Sequence, residues 1–396
     1  MDLSFGAELD DFRKEVRTFV AEHWKPGAAD SQAREERTRR FRELATTQGY
    51  LYRNVPRRYG GSEQPPDALR AEVIREEFVR ARAPMENRKG AGVSLLVPTL
   101  LEWGTDWQKD KFIAPTLSGD MAWCQGYSEP NAGSDLASLR TRAELVADEW
   151  VITGQKIWTS YAFKADYMFI LVRSEPQAPK HQGISYLLLN MRQPGITVRP
   201  LKQITGKSDF CEVFLDGART PADWIVGARG EGWKISKTTL RHERASNRGL
   251  DFQEARFRDL IRLAKETQRD GRPAIEDPEL RQRLAALEGF LASMRYSAYR
   301  QFSMDLGGED AGLFPLLRKL YSSNIAADMA RIARDLLGED LLIMPEHDDE
   351  NAPGRSKWVH TYFTSLILAI AGGSSNIQRN IIAERGLGLP RDRTDS

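Results

Sequence analysis

Hydrophobic periodicity changes twice along the 396 residues of this chain. From residue 1 to about 120 the apolar residues recur at helical spacing, as at Phe12, Val16, Phe19 and Val20, and turn signals such as RRYGGSEQPP break the segments. Between about 121 and 230 the pattern becomes five short β-rich runs, EWVITG, ADYMFILVR, GISYLLLNM, PGITVRP and CEVFLDG, most of them bounded by Gly, Pro, Asp or Asn. Helical spacing then returns through FRDLIRLAKETQ, LRQRLAALEGFLASMRYSAYRQF, PLLRKLYSSNIAADMARIARDLL and NIIAERGLG. Such segregation predicts an α+β fold: an N-terminal helical domain over 1–120, a middle β-domain over 121–230 built as a sandwich or small barrel, and a C-terminal helical bundle over 231–396.

Charge narrows the function classes. With 57 Lys+Arg against 56 Asp+Glu there is no basic excess, which argues against a nucleic-acid-binding role. Two cysteines, Cys124 and Cys211, and five histidines lack the spacing of a disulfide framework or a metal site, so no metal is expected and a reducing compartment fits. The opening MDLSFGAELDDFRKEVRTFV reads as an amphipathic helix rather than a signal peptide. The longest apolar stretch, Ser365 to Gly372, falls far short of the about 20 residues a membrane span needs, and a cytoplasmic protein without a membrane partner is the expectation.

Two neighbouring segments carry the chemistry. In WCQGYSEPNAGSD, residues 123–135, Tyr127, Ser128 and Ser134 place hydroxyls around a small-residue turn, Ala132 and Gly133, where backbone N–H groups can approach a ligand. In GQKIWTSYA, residues 154–162, the flat ring of Trp158 adjoins the hydroxyls of Thr159 and Ser160. In this order and spacing the two segments resemble the flavin-binding loops of the acyl-CoA dehydrogenase family. The resemblance continues through PGITVRPLKQITG, FLDGARTP, GEGWKISKTTLRHER and AGGSSNIQRNIIAERGLGLPR, and so spans nearly the whole chain.

That resemblance implies the family's fold, an N-terminal helical domain, a middle β-domain and a C-terminal four-helix bundle, together with FAD as cofactor. It places Tyr127 and Ser128 at the pyrimidine side of the flavin and Trp158, Thr159 and Ser160 beside the ring. Gly133 and Ser134 match positions near the bound acyl-CoA, Gly133 being grouped with the cofactor loop and Ser134 with the substrate. Ser374 and Asn376 match C-terminal positions that approach the flavin, Asn376 being one methylene shorter than the usual Gln. Donors preorganised where negative charge develops on a reduced flavin are what the chemistry requires.

The base is where the sequence departs from many relatives. Where they carry Glu in a Tyr-Glu-Gly-Thr stretch, this chain has Ala371, Gly372, Gly373 and Ser374, so Gly372 stands in the carboxylate's place and lines the substrate instead. Isovaleryl-type members put the base on an earlier helix in a Leu-Glu-Arg context, and the matching segment here is Leu240, Arg241, His242, Glu243, Arg244. By that resemblance Glu243 is the base that takes the α-proton, and Arg244 contacts CoA. Two interface motifs also depart. The Arg-x-x-Phe-Gly segment that reaches the flavin diphosphate has become Gln268 to Pro273, leaving Arg269 and Arg272 as alternatives, and a Gly-Asn-Gly turn has become Gly338-Glu339-Asp340.

The resemblance thus implies desaturation of an acyl-CoA thioester to a trans-2-enoyl-CoA, electrons leaving to an electron-transferring flavoprotein, in a homo-oligomer, dimer or tetramer, with a hetero-oligomer as the alternative. The pattern resembles bacterial members that act on bulky acyl groups such as sterol side chains or ring remnants. A flavin-dependent oxygenase or oxidase on the same scaffold, and a non-catalytic subunit of a heteromeric dehydrogenase, are the competing readings.

Overall fold

A computed structural model describes residues 6–25, 27, 31–85, 90–245, 248–307, 313–342 and 356–390. The chain divides into two compact units, residues 1–201 with 208–242, and residues 202–207 with 243–396.

The first unit begins with helices α1 (Ala7–His23), α2 (Ser31–Thr47) and α3 (Ala68–Arg80). Phe12, Val16, Phe19 and Val20 of α1, spaced for one helix face, are buried with Phe41 of α2 and with Val73, Ile74 and Phe78 of α3. Asp67 starts α3 by accepting a hydrogen bond from the Arg70 N–H, an N-cap that satisfies one of the helix's orphan donors. Helices α4 (Val97–Trp103) and α5 (Asp106–Ser118) follow, and Thr105 and Gln108 form a reciprocal capping box at the start of α5.

Strands β1 (Trp123–Gly126), β2 (Arg142–Val146), β3 (Glu149–Ser160), β4 (Tyr167–Arg173), β5 (Ile184–Asn190), β6 (Ile196–Leu201), β7 (Phe210–Pro221) and β8 (Ile225–Val226) form one sheet. Its path runs β6-β7-β3-β2-β4-β5-β8, with β1 paired in parallel to β4. All five β-rich sequence runs fall in strands. The expected sandwich or barrel is realised as a single bent sheet: the Thr220 hydroxyl of β7 donates to the Leu188 carbonyl of β5, four places away along the path, at 2.6 Å. Inside the bend Cys124, Ile152, Met168, Leu187, Cys211 and Val213 share one core. Both cysteines are free thiols and burial pushes each thiol up, the inert behaviour of small hydrophobes.

On the sheet's other side Leu96, Leu100, Phe112 and Ile113 from the helical layer pack with Trp123, Phe169, Tyr186 and Ile235 in one buried cluster. Ile235 belongs to α6 (Gly232–Ala245), which completes this unit up to His242.

The second unit holds α7 (Arg248–Glu266), a small hairpin of β9 (Gln268–Arg269) and β10 (Arg272–Pro273), and helices α8 (Pro278–Gly307), α9 (Phe314–Leu337), α10 (Ser356–Leu368) and α11 (Ser375–Ile381). Phe257 and Leu260 of α7, Leu284 and Leu287 of α8, Ile325, Met329 and Ile332 of α9 and Trp358 of α10 share its core, the helical bundle expected from periodicity and, with these four helices, the one the family resemblance implies. Among the described residues no helix is long and apolar enough to cross a membrane, and none forms a cluster able to hold a metal ion.

Candidate functional site

Strand β1 delivers the chain into Tyr127, Ser128 and Glu129. The Tyr127 ring is buried edge-on to Phe169 and Tyr186, at centroid distances of 6.0 and 6.3 Å. Glu129 and Ala132 exchange two backbone hydrogen bonds of 3.0 Å, closing a turn that leaves Gly133 and Ser134 exposed. A Cβ at Gly133 would meet nothing within 4 Å, so its surroundings leave room for a ligand.

The second segment is tied to the first. The Ile157 N–H donates to the Ser128 carbonyl at 2.9 Å. One residue earlier, Lys156 is completely buried, and its Nζ donates to the Tyr127 carbonyl at 3.1 Å and to Glu129 Oε1 at 2.8 Å. Glu129 also accepts from the N–H groups of Arg140, at 2.6 Å, and Thr141, at 2.8 Å. Burial pulls the Lys156 ammonium down to about 8, against the opposing pull of Glu129. Burial works to raise the Glu129 carboxyl, but the Lys156 charge and the donated hydrogen bonds outweigh it and hold the group below the usual carboxylate range.

Immediately beyond Lys156 the pairing of β3 with β7 shifts register, and Trp158 adopts a left-handed φ of 59°. An indole in this conformation is uncommon. The bulge throws it outward, 60% exposed, with Phe210 edge-on at 6.1 Å. Strand alternation sets Ser160 on the exposed side and Thr159 on the buried side. Neither Ser128 nor Ser160 has a side-chain hydrogen-bond partner among the described residues, and the buried Thr159 Oγ1 has none either. An exposed aromatic face on a strained bulge beside unpaired hydroxyls fits a flat, hydrogen-bonding ring such as a flavin.

The C-terminal half of helix α6 is pinned to α4. Thr239 and Thr99 share a hydroxyl hydrogen bond of 2.9 Å, and the Trp103 indole N–H donates to Thr238 at 3.1 Å. At the last turn Arg241 Nη2 donates to both oxygens of Glu102, at 2.7 and 2.8 Å, and His242 Nε2 lies 2.8 Å from Glu102 Oε1. Glu243 and Arg244 follow on the backbone of the same helix, and their side chains lie outside the described residues.

The remaining residues expected at the site belong to the second unit. Arg269 is engaged: its guanidinium donates to the Asp335 carbonyl and forms an ion pair of 3.6 Å with Asp277. Arg272, paired with it across the hairpin, is exposed, and its guanidinium has no hydrogen bond or ion pair among the described residues. Ser374 caps α11, its Oγ accepting from the Ile377 N–H at 3.4 Å, and Asn376 Oδ1 accepts from Arg379 at 3.2 Å. Gly372 is exposed, with a φ of 69° and its carbonyl accepting from Gln378 Nε2.

Sequence reasoning missed Lys156, Glu129 and Glu102. For Lys156 a signal was present: it shares the inward parity of Trp150 and Ile152 along β3, and a lysine at an inward position of an alternating strand requires a buried partner. For Glu102 there was none, because its partners lie about 140 residues away.

Fold and loop geometry together define a flavin-type oxidoreductase scaffold. Family models for the acyl-CoA dehydrogenase N-terminal, middle and C-terminal domains match residues 6–120, 124–218 and 230–387. Acyl-CoA dehydrogenase IpdE1 of Mycobacterium tuberculosis is 37% identical over 401 residues, covering 97% of this chain and 99% of that protein, and IpdE1 of Mycolicibacterium smegmatis is 38% identical with the same coverage. Among solved structures, the ChsE4-ChsE5 complex from M. tuberculosis superimposes with a TM-score of 0.79 at 28% identity, covering 99% of this chain and 100% of that one. The Tcur3481-Tcur3483 steroid ACAD gives 0.77 at 31% identity, with coverage of 99% and 100%. The chain belongs to the acyl-CoA dehydrogenase family. It is accordingly an FAD-dependent oxidoreductase acting on acyl-CoA.

Proposed function

We propose that the protein desaturates a bulky, steroid-derived acyl-CoA to the trans-2-enoyl-CoA, with Glu243 as the base that takes the α-proton. The segments 1–120, 121–230 and 231–396 serve as the helical, flavin-loop and bundle domains of that enzyme. The observation that carries this reading is the pairing of Gly372, which has no side chain, with a carboxylate directly after the turn of α6 that Glu102 pins. When bound, FAD supplies the acceptor for the hydride that leaves the β-carbon.

The chain's own residues then have separable tasks. Glu243 accepts the proton from the α-carbon, so one proton and one hydride leave as the double bond forms. The backbone of Tyr127 and the hydroxyl of Ser128 face the pyrimidine side, Gly133 keeps the loop beside them open, Trp158 covers the ring, and Ser160, with Thr159 buried behind it, offers a hydroxyl at its edge. Ser134, Arg244 and Gly372 line the thioester and its CoA, while Ser374 and Asn376 approach the cofactor from the C-terminal segment. The steroid class is favoured by the likeness over nearly the full chain to a structural relative that is named a steroid ACAD. We further infer a cytoplasmic enzyme that hands electrons to an electron-transferring flavoprotein and works as an oligomer, homomeric by default.

One observation favours the heteromeric alternative. With Arg269 held by Asp335 and Asp277, the family's diphosphate-reaching segment is altered, and one structural relative is named as a complex, ChsE4-ChsE5. Arg272 is the group left to meet the diphosphate. Arg272→Ala is therefore expected to weaken FAD binding about tenfold, the loss of one charge-assisted hydrogen bond. Arg269→Ala is expected to lower the melting temperature of the apoprotein and leave FAD affinity within about twofold. Equilibrium dialysis and thermal melts separate the two; the reverse assignment of effects would give the role to Arg269.

The overall reading is tested by anaerobic titration of the yellow protein with straight, branched and steroid-derived CoA thioesters. Bleaching of the flavin band by the steroid-derived thioester is the expected result. FAD-loaded protein that no thioester bleaches overturns the dehydrogenase assignment, and rapid reoxidation by air alone would favour the oxidase. If the chain retains FAD only when co-expressed with a second homologous chain, the assembly is heteromeric.

A further inference from the structure

We propose that Lys156, acting through Glu129, is a positioning residue for the flavin: its buried ammonium fastens the loop of Tyr127 and Ser128 to the strand that carries Trp158 and Ser160. The inference rests on the flavin reading of these two segments. Its own support is the geometry of the tie.

Three polar links join the segments, and Lys156 makes two of them. Its Nζ reaches the Tyr127 carbonyl at 3.1 Å and Glu129 Oε1 at 2.8 Å, and the Ile157 N–H reaches the Ser128 carbonyl at 2.9 Å. Lys156 has no exposed surface and Glu129 is 9% exposed. Burying such a pair is a poor route to stability, because desolvation of both ions consumes most of their attraction, and well-packed apolar residues of the same volume do as well or better. What the pair provides is a fixed distance.

The position of the tie along the strand explains its use. Lys156 is the last residue before β3 slips out of register with β7, so the strand is anchored where the bulge begins and Trp158 is thrown outward from a fixed point. On the other side Glu129 is held by the N–H groups of Arg140 and Thr141, by the ammonium, and by its own backbone exchange with Ala132. The loop's hydroxyl at Ser128 and the strand's hydroxyl at Ser160 are thus both referred to one buried ion. A site that must present several groups to one rigid ring needs such support from behind the groups that touch it.

The test uses the full chain as Lys156→Met and as the charge-neutral double variant Lys156→Met with Glu129→Gln. Urea melts of the apoprotein, FAD dissociation constants, and the visible circular dichroism and reduction potential of the bound flavin are measured for both. The single variant strands a buried carboxylate and is expected to lose stability. The double variant is expected to regain the wild-type urea midpoint while binding FAD about tenfold or more weakly, with altered visible dichroism and a shifted potential. Recovery of FAD affinity and spectrum together with stability in the double variant overturns the proposal, since the pair is then only packing. Should the wild-type chain, alone or with a co-expressed partner, take up no FAD at all, the flavin reading itself fails, and the positioning role falls with it. A wild type that binds FAD, matched by both variants, sinks the positioning role alone.

Discussion

Replacing Glu243 with Gln is expected to leave a folded, yellow protein whose bleaching by acyl-CoA is slowed about 10²- to 10⁴-fold, the usual contribution of one positioned general base. Glutamine keeps the shape and most of the polarity of the side chain but cannot accept the α-proton, so FAD content and the dissociation constant for the thioester should change little. The neighbouring groups sharpen the expectation. His242, the other proton acceptor on this turn, is engaged by Glu102 at 2.8 Å, and Arg241 closes on the same carboxylate with two bonds. At the other place where relatives carry the base, Gly372 offers no side chain at all. If Glu243 were a surface charge, the variant would bleach as fast as wild type, and the desaturation would need another base. Rapid-mixing spectrophotometry under anaerobic conditions measures the rate directly. Installing a carboxylate by Gly372→Glu in the Glu243→Gln background asks whether the two positions face the same carbon, and partial recovery of bleaching is the expected outcome.

The gross architecture was legible because it depends on local periodicity. Phe12, Val16, Phe19 and Val20 declare the buried face of α1 without any knowledge of what covers it, and all five β-rich runs became strands. What escaped was short or non-local. Strand β1 is only four residues long and mostly buried on both faces, so it shows no alternation to read. The β9 and β10 strands are two residues each, too short to show any alternation, and they are joined by Asp270 and Gly271, both with positive φ, as a two-residue turn. The bend of the sheet rests on contacts such as Thr220 to Leu188, which no local pattern encodes.

The site divides in the same way. Residue types survive as motifs, so the loops of Tyr127, Ser128, Gly133, Trp158 and Ser160 could be proposed by resemblance. Conformation does not survive in the motif. Nothing in GQKIWTSYA announces that Trp158 stands in a left-handed bulge, and the fixed point behind it is a lysine that sequence reasoning passed over.

That conformation makes Trp158 a residue whose effects on folding and on binding should separate. A left-handed backbone costs a bulky L-residue roughly 1–2 kcal/mol, and the indole recovers little from the fold, being 60% exposed with the Phe210 ring edge-on at 6.1 Å. Trp158→Gly relieves the strain, which offsets the lost ring contact and the greater freedom glycine brings to the unfolded chain. The apoprotein is therefore expected to stay within about 1 kcal/mol of wild type in urea denaturation. Binding has no such compensation, because the covering surface of an aromatic ring, worth about 1.5–3 kcal/mol when buried, is removed from the flavin. FAD affinity is expected to fall roughly tenfold to a hundredfold, and Trp158→Phe, which keeps a flat face, should recover most of it. A variant destabilised by several kcal/mol that still binds FAD like wild type would make the indole a structural element of the β-domain. The opposite pattern, stability kept and cofactor lost, identifies the bulge as strain held in the free protein for the sake of the bound ring.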